Sequence, residues 1–412
     1  MRHIASASAV GRGLENPADA PTPQPATELR IGTNHYGSPS HGVAESRSHH
    51  HRETGLGKSG SQLVYQFQPL EDSRWGEFLE RHPHASLFHT AGWLEALQRT
   101  YGYEPIAFTT SPPGTSLQNA IVACRVNSWL TGHRLVSLPF ADHCEPLVND
   151  PTELPAFFSV FERTVRQERL RYIELRPIHP VESPTALCRS TCVYCFHQLN
   201  LRPDLDTLFQ NFHKDSTQRK ILRAQREGLC YEEGLSESLL NTFYRLFVLT
   251  RRRHHIPPPP KRWFRNLIDC FGNTLKVRLA LKDRHPVASM LTIRFKDTLV
   301  YKYGCSDPSF HNLGSVHLLF WRAIQEAKQE GLSLFDLGRS DCEDAGLITF
   351  KNRWGATRLE LTYSRYALSM NSKGHFRPAV PDWKTRIART MIPHLPDSIL
   401  TAIGALFYKH AG

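Results

Sequence analysis

The sequence lacks any long uninterrupted run of apolar residues. Its mean hydropathy is −0.40, and no stretch approaches the roughly 18 consecutive apolar residues that a membrane-spanning helix needs. The first residues, MRHIASASAVGRG, also lack the apolar segment of a secretory signal. We therefore expect neither an integral membrane protein nor a secreted one.

The sequence also lacks a disulfide framework. Its nine cysteines are odd in number and scattered, whereas a framework needs dense, even spacing in a small secreted chain. Cys188, Cys192, Cys195 and His197 resemble metal ligands, but their segment reads as a β-strand, in which residues three apart point to opposite faces. No second ligand pair stands at zinc-finger spacing. We expect reduced thiols in a cytoplasmic protein and no bound metal.

What the chain does have is length, apolar content and positive charge. It has 412 residues, of which 40% are hydrophobic, and 50 Lys and Arg against 39 Asp and Glu, a net charge of +11. This length favours two domains. Segments 205–265 and 373–412 carry +6 and +4 of the excess. The charge is compatible with RNA, anionic lipid or a phosphorylated substrate, and does not choose among them.

Composition and periodicity divide the chain into four parts. Residues 1–60 are rich in Ser, Gly, Pro and His and show no helical or strand period, which predicts a disordered tail. Residues 63–203 and 204–370 each read as antiparallel strands, a helix, a further strand, a helix and a last strand. Residues 371–412 read as a C-terminal amphipathic helical segment. The prediction is an α/β fold with mixed sheets in two similar units.

This order of elements resembles the Fem-like branch of the GNAT acyltransferase superfamily, over roughly residues 63–370. The resemblance is closest to the acetyltransferase-like proteins associated with exopolysaccharide and PEP-CTERM exosortase systems. It implies two tandem GNAT-like domains with a cleft between them. Its carriers are FHTAGWLEAL, LPFADHCEPL, YIELRP, STQRKILRAQREG, YKYGCSD, HNLGSVHLLFWRAI and FDLGRSD followed by GLITFKNRWGA.

The resemblance implies a catalytic Phe-Lys pair, which FKNRWG supplies as Phe350 and Lys351. Aminolysis of an ester or thioester passes through a tetrahedral oxyanion, and a fixed ammonium in a dry cleft stabilises it. The alternative is an ordinary surface lysine on a short helix.

For the general base, which must be a carboxylate, histidine or tyrosine near the strand ends, we prefer Asp341, followed by Asp336 and Tyr303. The alternatives are turn-forming aspartates and a tyrosine that packs in a strand.

GNAT enzymes that use acyl-CoA hold its pyrophosphate on backbone amides before a helix. The matching residues here are Asn312, Gly314, Ser315 and His317, in a loop that keeps only one of the family's glycines. Acetyl-CoA is therefore one candidate donor, and aminoacyl-tRNA or another acyl donor is the alternative. An ordinary Gly-Ser helix cap would explain the same residues.

A basic stripe on one predicted helix is a candidate substrate-binding surface. Arg219, Arg223 and Arg226 recur at helical spacing and suit a phosphate-rich ligand such as tRNA or a nucleotide- or lipid-linked glycan. A solvated helix face is the alternative. Trp93, in the family motif FHTAGWLEAL, completes the substrate-binding candidates.

The C-terminal segment is basic and amphipathic. Trp383, Ile387 and Met391 line one predicted face, and Ile399, Ile403, Leu406 and Phe407 line another. Such a segment, residues 381–411, can lie in a membrane interface or pack as a terminal helix on the second domain.

These observations favour an N-acyltransferase at the cytoplasmic face of the membrane. It would move an acetyl or aminoacyl group to an amine of a cell-envelope or exopolysaccharide precursor. One alternative is an aminoacyl-tRNA-dependent peptidoglycan interpeptide-bridge transferase, although no long heptad run predicts the coiled-coil arm that such enzymes often carry. The other is a catalytically silent GNAT-like scaffold in polysaccharide export.

Overall fold

A computed structural model describes residues 63–181, 188–367 and 392–412. The predicted tail 1–60 and the predicted face formed by Trp383, Ile387 and Met391 lie outside these residues. The described part contains twelve strands and ten α-helices, together with short 3-10 turns and one π-helical turn at Lys214–Gln218.

The first half of the described chain alternates strands with three helices. Its elements are β1 (Tyr65–Phe67), α1 (Arg74–Arg81), α2 (Ala91–Tyr101), β2 (Glu104–Thr109), β3 (Ile121–Ser128), β4 (Gly132–Val136), α3 (Leu154–Gln167), β5 (Ile173–Leu175) and β6 (Cys188–Asn200).

The second half repeats this order with more helices. Its elements are α4 (Leu205–Asn211), α5 (Arg219–Arg226), β7 (Cys230–Gly234), α6 (Glu237–Arg253), α7 (Lys261–Phe271), β8 (Leu275–Lys282), β9 (His285–Phe295), β10 (Thr298–Ser306), α8 (Ser315–Gln329), β11 (Leu334–Asp341), α9 (Ala345–Asn352), β12 (Thr357–Tyr366) and α10 (Asp397–Ala411).

All twelve strands form one continuous sheet in the order β1-β2-β3-β4-β5-β12-β6-β11-β10-β9-β8-β7. The last strand, β12, lies between β5 and β6 and runs antiparallel to both. β6 in turn pairs with β11 of the second half. The boundary predicted between 203 and 204 therefore falls after a strand that the two halves share, and each half completes its sheet with a strand from the other.

Each half contains one parallel strand pair. β4 pairs with β5 at Leu135 and Val136, and β10 pairs with β11 over Thr298–Val300. We call these pairs the first junction and the second junction. A parallel pair needs a crossover, here made by α3 and α8 respectively, and ligands in open α/β sheets bind where strands part at their carboxyl ends.

Local sequence explains why α2 begins and ends where it does. The Thr90 side chain accepts a hydrogen bond from the Trp93 amide at the N-terminus, and Gly102 adopts φ +72° at the C-terminus. Trp93, Leu94 and Leu97 are completely buried, as the helical spacing predicts. Two elements are not predicted by such local patterns. Helix α1 is too short to show a clear helical period, and β7 (CYEEG) is a mostly polar edge strand.

Candidate active site

At the second junction, β10 and β11 separate after only three paired residues. Beyond Asp336 a bulge interrupts β11, with Gly338 at φ +70°, and from Arg339 onward the pairing to β6 resumes. Bulges beside active sites re-aim backbone and side chains. Here the bulge turns the carbonyl oxygens of Gly338 and Arg339 toward α9, where Lys351 meets them.

A strained loop of the first half reaches this point. After β4, Leu138 and Phe140 adopt positive φ values of 59° and 61°, which cost on the order of 1–2 kcal/mol each for residues with a Cβ. The loop brings Asp142 to Lys302 of β10 and His143 to Asp336 of β11, where the two strands separate. Strain held in this way favours a functional role for the loop.

Asp142 is the acidic centre of the site. The Lys302 ammonium donates to its carboxylate at 2.9 Å, and the Arg339 guanidinium lies 3.8 Å away. Burial alone would raise the pKa of Asp142, but the two cations outweigh it and hold the pKa below its usual range. Tyr363 on β12 donates to the Asp142 carbonyl at 2.6 Å and fixes the loop. Asp142 is therefore ionised and held in place by residues of the second half.

Lys351 is a buried cation with a perturbed pKa. Only 2% of the residue is exposed, and its ammonium donates to the Gly338 and Arg339 carbonyl oxygens at 2.8 and 3.0 Å. Burial lowers its pKa from 10.5 to about 8, against the opposing effect of Asp142 and Asp336. An ammonium has three N–H donors, so one remains beyond these two bonds.

His143 and Asp336 form a buried pair beside Lys351. The His143 Nε2 and Asp336 Oδ2 atoms are 3.0 Å apart, and the other carboxylate oxygen of Asp336 accepts from the Gly338 amide at 2.7 Å. The His143 ring packs edge-on against Phe88 and Phe196. If Nε2 carries the proton that Asp336 accepts, Nδ1 is left as an acceptor.

Three buried polar atoms at the second junction have no hydrogen-bond partner among the described residues. They are Arg339 Nη1, His143 Nδ1 and Ser340 Oγ. The Arg339 guanidinium stacks 4.1 Å from the Tyr194 ring centroid, and its side chain is one-third exposed. Buried polar groups in proteins are normally paired, so each of these three atoms is available to bind a ligand.

The predicted catalytic residues take different positions around this site. Lys351 and Asp336 meet at the second junction, and Tyr303 lies beside Lys302 while its hydroxyl accepts from the Trp263 indole at 2.8 Å. Asp341 is exposed at the end of β11.

Phe350 packs against His317, Phe320 and Trp354, which anchors α9 to α8 and leaves the neighbouring Lys351 pointing at the junction. In the predicted Phe-Lys pair, Phe350 therefore packs α9 against α8, and Lys351 supplies the charge at the junction.

The residues predicted to hold acyl-CoA do not form an open cradle. Gly314, Ser315 and His317 are buried, and a Cβ on Gly314 would collide with the Lys220 carbonyl oxygen of α5. The glycine therefore serves the close approach of α5 rather than that of a pyrophosphate. Asn312 is exposed. Burial, with Lys220 and Arg353 nearby, lowers the pKa of His317 to about 3, so the ring is neutral.

The predicted substrate-binding residues differ in their exposure and in their contacts. Arg219 and Arg226 are exposed on α5, and Arg223 pairs with Glu227 at 3.4 Å. Trp93 is completely buried, and its ring lies 5.4 Å below the Lys302 ammonium. Its contact is with a site residue and not with solvent.

Sequence reasoning missed Asp142, His143, Lys302 and Arg339 as site residues. Each stands in a family-like segment, LPFADHCEPL, YKYGCSD or FDLGRSD. The available signal was the run Asp-His directly after a strand. What joins these segments is the shared sheet, which no local pattern in the sequence reveals.

Residues 213–352 match the family profile of the acetyltransferase (GNAT) domain. This range includes β10, β11 and Lys351. The second half of the described chain therefore contains a GNAT-type acyltransferase domain. No curated protein gives a significant match to the sequence.

Among solved structures, this acyltransferase resembles FemX, with 14% identity and a TM-score of 0.59 over 74% of this chain and 97% of that one. A tandem GNAT protein from the clavulanic acid biosynthesis pathway shares 8% identity, with a TM-score of 0.47 over 75% of this chain and 99% of that one. The FemX likeness concerns the fold. The predicted α/β architecture with mixed sheets and a C-terminal helix is confirmed by the described strands and helices.

None of the helices in the described residues is long and apolar enough to span a bilayer. The GNAT fold commonly binds acetyl-CoA, so the burial of the Gly314 turn bears directly on the choice of donor.

Proposed function

We propose that this acyltransferase moves an acetyl or aminoacyl group from an activated donor to an amine of a cell-envelope or exopolysaccharide precursor. The observation that carries the proposal is Lys351, a buried ammonium at the point where β10 and β11 part. Burying a lysine ammonium costs stability, and lysines with a perturbed pKa cluster at functional sites.

The proposed chemistry is direct aminolysis. The acceptor amine attacks the acyl carbonyl carbon, the new C–N bond forms, and the carbonyl oxygen becomes an oxyanion that collapses as the donor oxygen or sulfur leaves. The third N–H of Lys351 donates to that oxyanion in a site removed from water, and such a donor contributes about 10²–10³ to the rate. Arg339, with Nη1 unpaired, adds positive charge at the solvent side of the junction.

The acceptor nitrogen must lose a proton. Asp341 is the first candidate base because it is exposed at the strand end, where a soluble acceptor arrives. His143, oriented by Asp336, is the second, since Nδ1 is an acceptor in the tautomer whose Nε2–H bonds Asp336. Asp341→Asn and His143→Gln distinguish the two, because the variant that removes the base loses the acidic limb of the rate profile.

Because the Gly314 turn is buried, we favour an acyl donor whose binding does not depend on this turn. An aminoacyl ester, as in aminoacyl-tRNA, is such a donor, and the peptidoglycan interpeptide-bridge alternative uses it. The exposed stripe of Arg219, Arg223 and Arg226 suits the phosphates of a tRNA or of a nucleotide- or lipid-linked acceptor. The acetyl-CoA and aminoacyl-tRNA versions differ in donor and share the Lys351 chemistry.

The transfer assay supplies radiolabelled aminoacyl-tRNA or acetyl-CoA together with a nucleotide-linked muropeptide or a chitosan oligomer as the amine. We expect amide formation by the full chain with at least one combination, and about a 10²–10³-fold loss in Lys351→Ala. Lys214→Ala, at an exposed lysine, is the matched control and keeps the wild-type rate. Unchanged transfer by Lys351→Ala would show the assigned role to be wrong.

Calorimetric titration with acetyl-CoA separates the donor alternatives. We expect no micromolar binding, because the cradle residues are buried. Micromolar binding would overturn the preference for another donor and leave acyl transfer itself standing. Absence of transfer with every donor and acceptor, together with binding of a lipid-linked glycan, would favour the silent scaffold.

A further inference from the structure

The C-terminal helix α10 exposes an apolar face. Ile399, Ile403, Leu406 and Phe407 are 42–60% exposed and follow the i, i+4, i+7, i+8 spacing of one helical stripe. Isolated surface apolar residues are ordinary, but a contiguous stripe on a terminal helix marks an interaction site.

Hydrogen bonds hold the C-terminal end of α10, and the buried Leu400 and Gly404 lie on its inward side. The buried Arg134 side chain donates to the Gly412 and His410 carbonyl oxygens at 3.0 and 2.9 Å. The Tyr103 hydroxyl donates to the Tyr408 carbonyl at 2.8 Å. The stripe is therefore exposed on a firmly docked helix.

The β3–β4 turn extends the stripe. Trp129 is 82% exposed and Leu130 is 58% exposed at the tip of this hairpin. The Trp129 ring lies 5.5 Å from the ring of the buried His410, which follows Phe407 by three residues on α10. Sequence reasoning on the C-terminal segment alone does not find this contribution, because 281 residues separate Trp129 from His410.

Two basic residues lie beside this surface. Lys409 is exposed on α10, and the Arg171 guanidinium donates to the Thr131 carbonyl at 3.3 Å beside the hairpin turn. The sequence directly before the described C-terminal part, 368–391, holds five basic residues and one acidic residue. The acidic residue that begins α10, Asp397, pairs with Arg252.

We propose that Trp129, Leu130 and the exposed face of α10 form a surface that binds a bilayer containing anionic lipid. Trp is favoured at membrane–water interfaces, the apolar stripe enters the boundary between headgroups and acyl chains, and the basic residues attract anionic headgroups. This surface lies outside the acyl-transfer site, and its test needs no donor or acceptor. It goes beyond the proposed function and can fail independently of it.

The test is flotation of the full chain with phosphatidylcholine vesicles and with vesicles of phosphatidylcholine and phosphatidylglycerol at about 3:1. We expect binding to the anionic vesicles that weakens with salt. Leu406→Glu with Phe407→Glu, and separately Trp129→Glu, should each reduce binding about tenfold or more. The matched control is Leu222→Glu, which places the same charge at an apolar residue of α5 that is 47% exposed, and it should bind like wild type.

Several results would overturn the proposal. They are no flotation of the wild-type chain, equal flotation of all variants, or flotation only after deletion of 368–391, which would make that segment the occupant. A dimer in light scattering that the Leu406→Glu, Phe407→Glu variant dissociates would assign the face to a second copy. Unchanged melting temperatures show that the variants remain folded.

Discussion

The two junctions occupy equivalent places in the two halves, but their charged side chains are paired to different extents. At the first junction Glu174 accepts from Arg176 and Arg365 at 2.9 and 2.6 Å, and no side-chain atom of these residues figures among the unpaired buried atoms of the described chain. At the second junction a lysine is buried against backbone carbonyls, and Arg339, Ser340 and His143 keep unpaired atoms.

The similar topology of the two halves provides two places where a ligand could bind. The side chains at each place determine which of them can be an active site. A closed ion network stabilises a sheet and leaves nothing to bind a ligand. A partly satisfied network costs stability and is retained where a ligand completes it. We therefore assign structure to the first junction and acyl transfer to the second.

The largest predicted effect on stability belongs to the first junction. Glu174→Gln leaves two partly buried arginines without their anion and should lower the free energy of unfolding by about 3 kcal/mol. Burial raises the pKa of Glu174, but Arg176 and Arg365 outweigh it and lower the pKa below 4.5. The contribution is thus present above that pH and lost as the pH falls through the folded-state pKa. Urea unfolding at pH 7 and pH 3 measures it; an equal deficit at both would contradict the ion-pair explanation.

At the second junction folding also lowers a pKa, but here it disfavours the charged form of the residue, the Lys351 ammonium. The pKa of Lys351 is about 8 in the folded protein and 10.5 in the unfolded chain, so the unfolded state binds more protons between these values. Stability therefore rises with pH through this window, by up to about 3 kcal/mol for this one group. The difference in unfolding free energy between wild type and Lys351→Met should change by that amount between pH 7.5 and 10.5. A constant difference would mean that the lysine is not desolvated.

Gly314→Ala tests the packing of α5 at the buried turn. The new methyl group meets the Lys220 carbonyl, and φ is +80°, so we expect a loss of about 1–3 kcal/mol in unfolding free energy. Gly102→Ala is the control, because its φ is similar and no atom lies near a new Cβ. A smaller loss at Gly314 than at Gly102 would show that α5 does not restrict this turn.

The smallest predicted effect on stability is that of Asp341→Asn, below about 0.5 kcal/mol, because the side chain is exposed. If Asp341 is the base, the transfer rate nevertheless falls about 10²–10⁴-fold at neutral pH. Measurement of the rate beside the melting temperature distinguishes the two roles. An unchanged rate would transfer the role of base to His143.

Most of the secondary structure was predictable from the sequence, because apolar period and caps are local. The antiparallel strands and the helix predicted within 204–370 are present as β8, β9, β10 and α8. Lys351 was found through its motif.

The insertion of β12 between β5 and β6 was beyond local reasoning, since it depends on pairing across almost 200 residues. For the same reason Asp142 and His143, from the first half, were not joined to Lys351 before the structure was known. The exposed stripe of α10 was predicted as a face, while its partner Trp129 was not.

The most direct test of the assignment compares Lys351→Met with Glu174→Gln in the same single-turnover transfer assay and the same thermal melt. We predict that Lys351→Met loses about 10²–10³ in rate without a lower melting temperature, while Glu174→Gln melts lower and keeps the wild-type rate per folded molecule at low temperature. Loss of rate in Glu174→Gln with full activity in Lys351→Met would place the chemistry at the first junction and contradict the account.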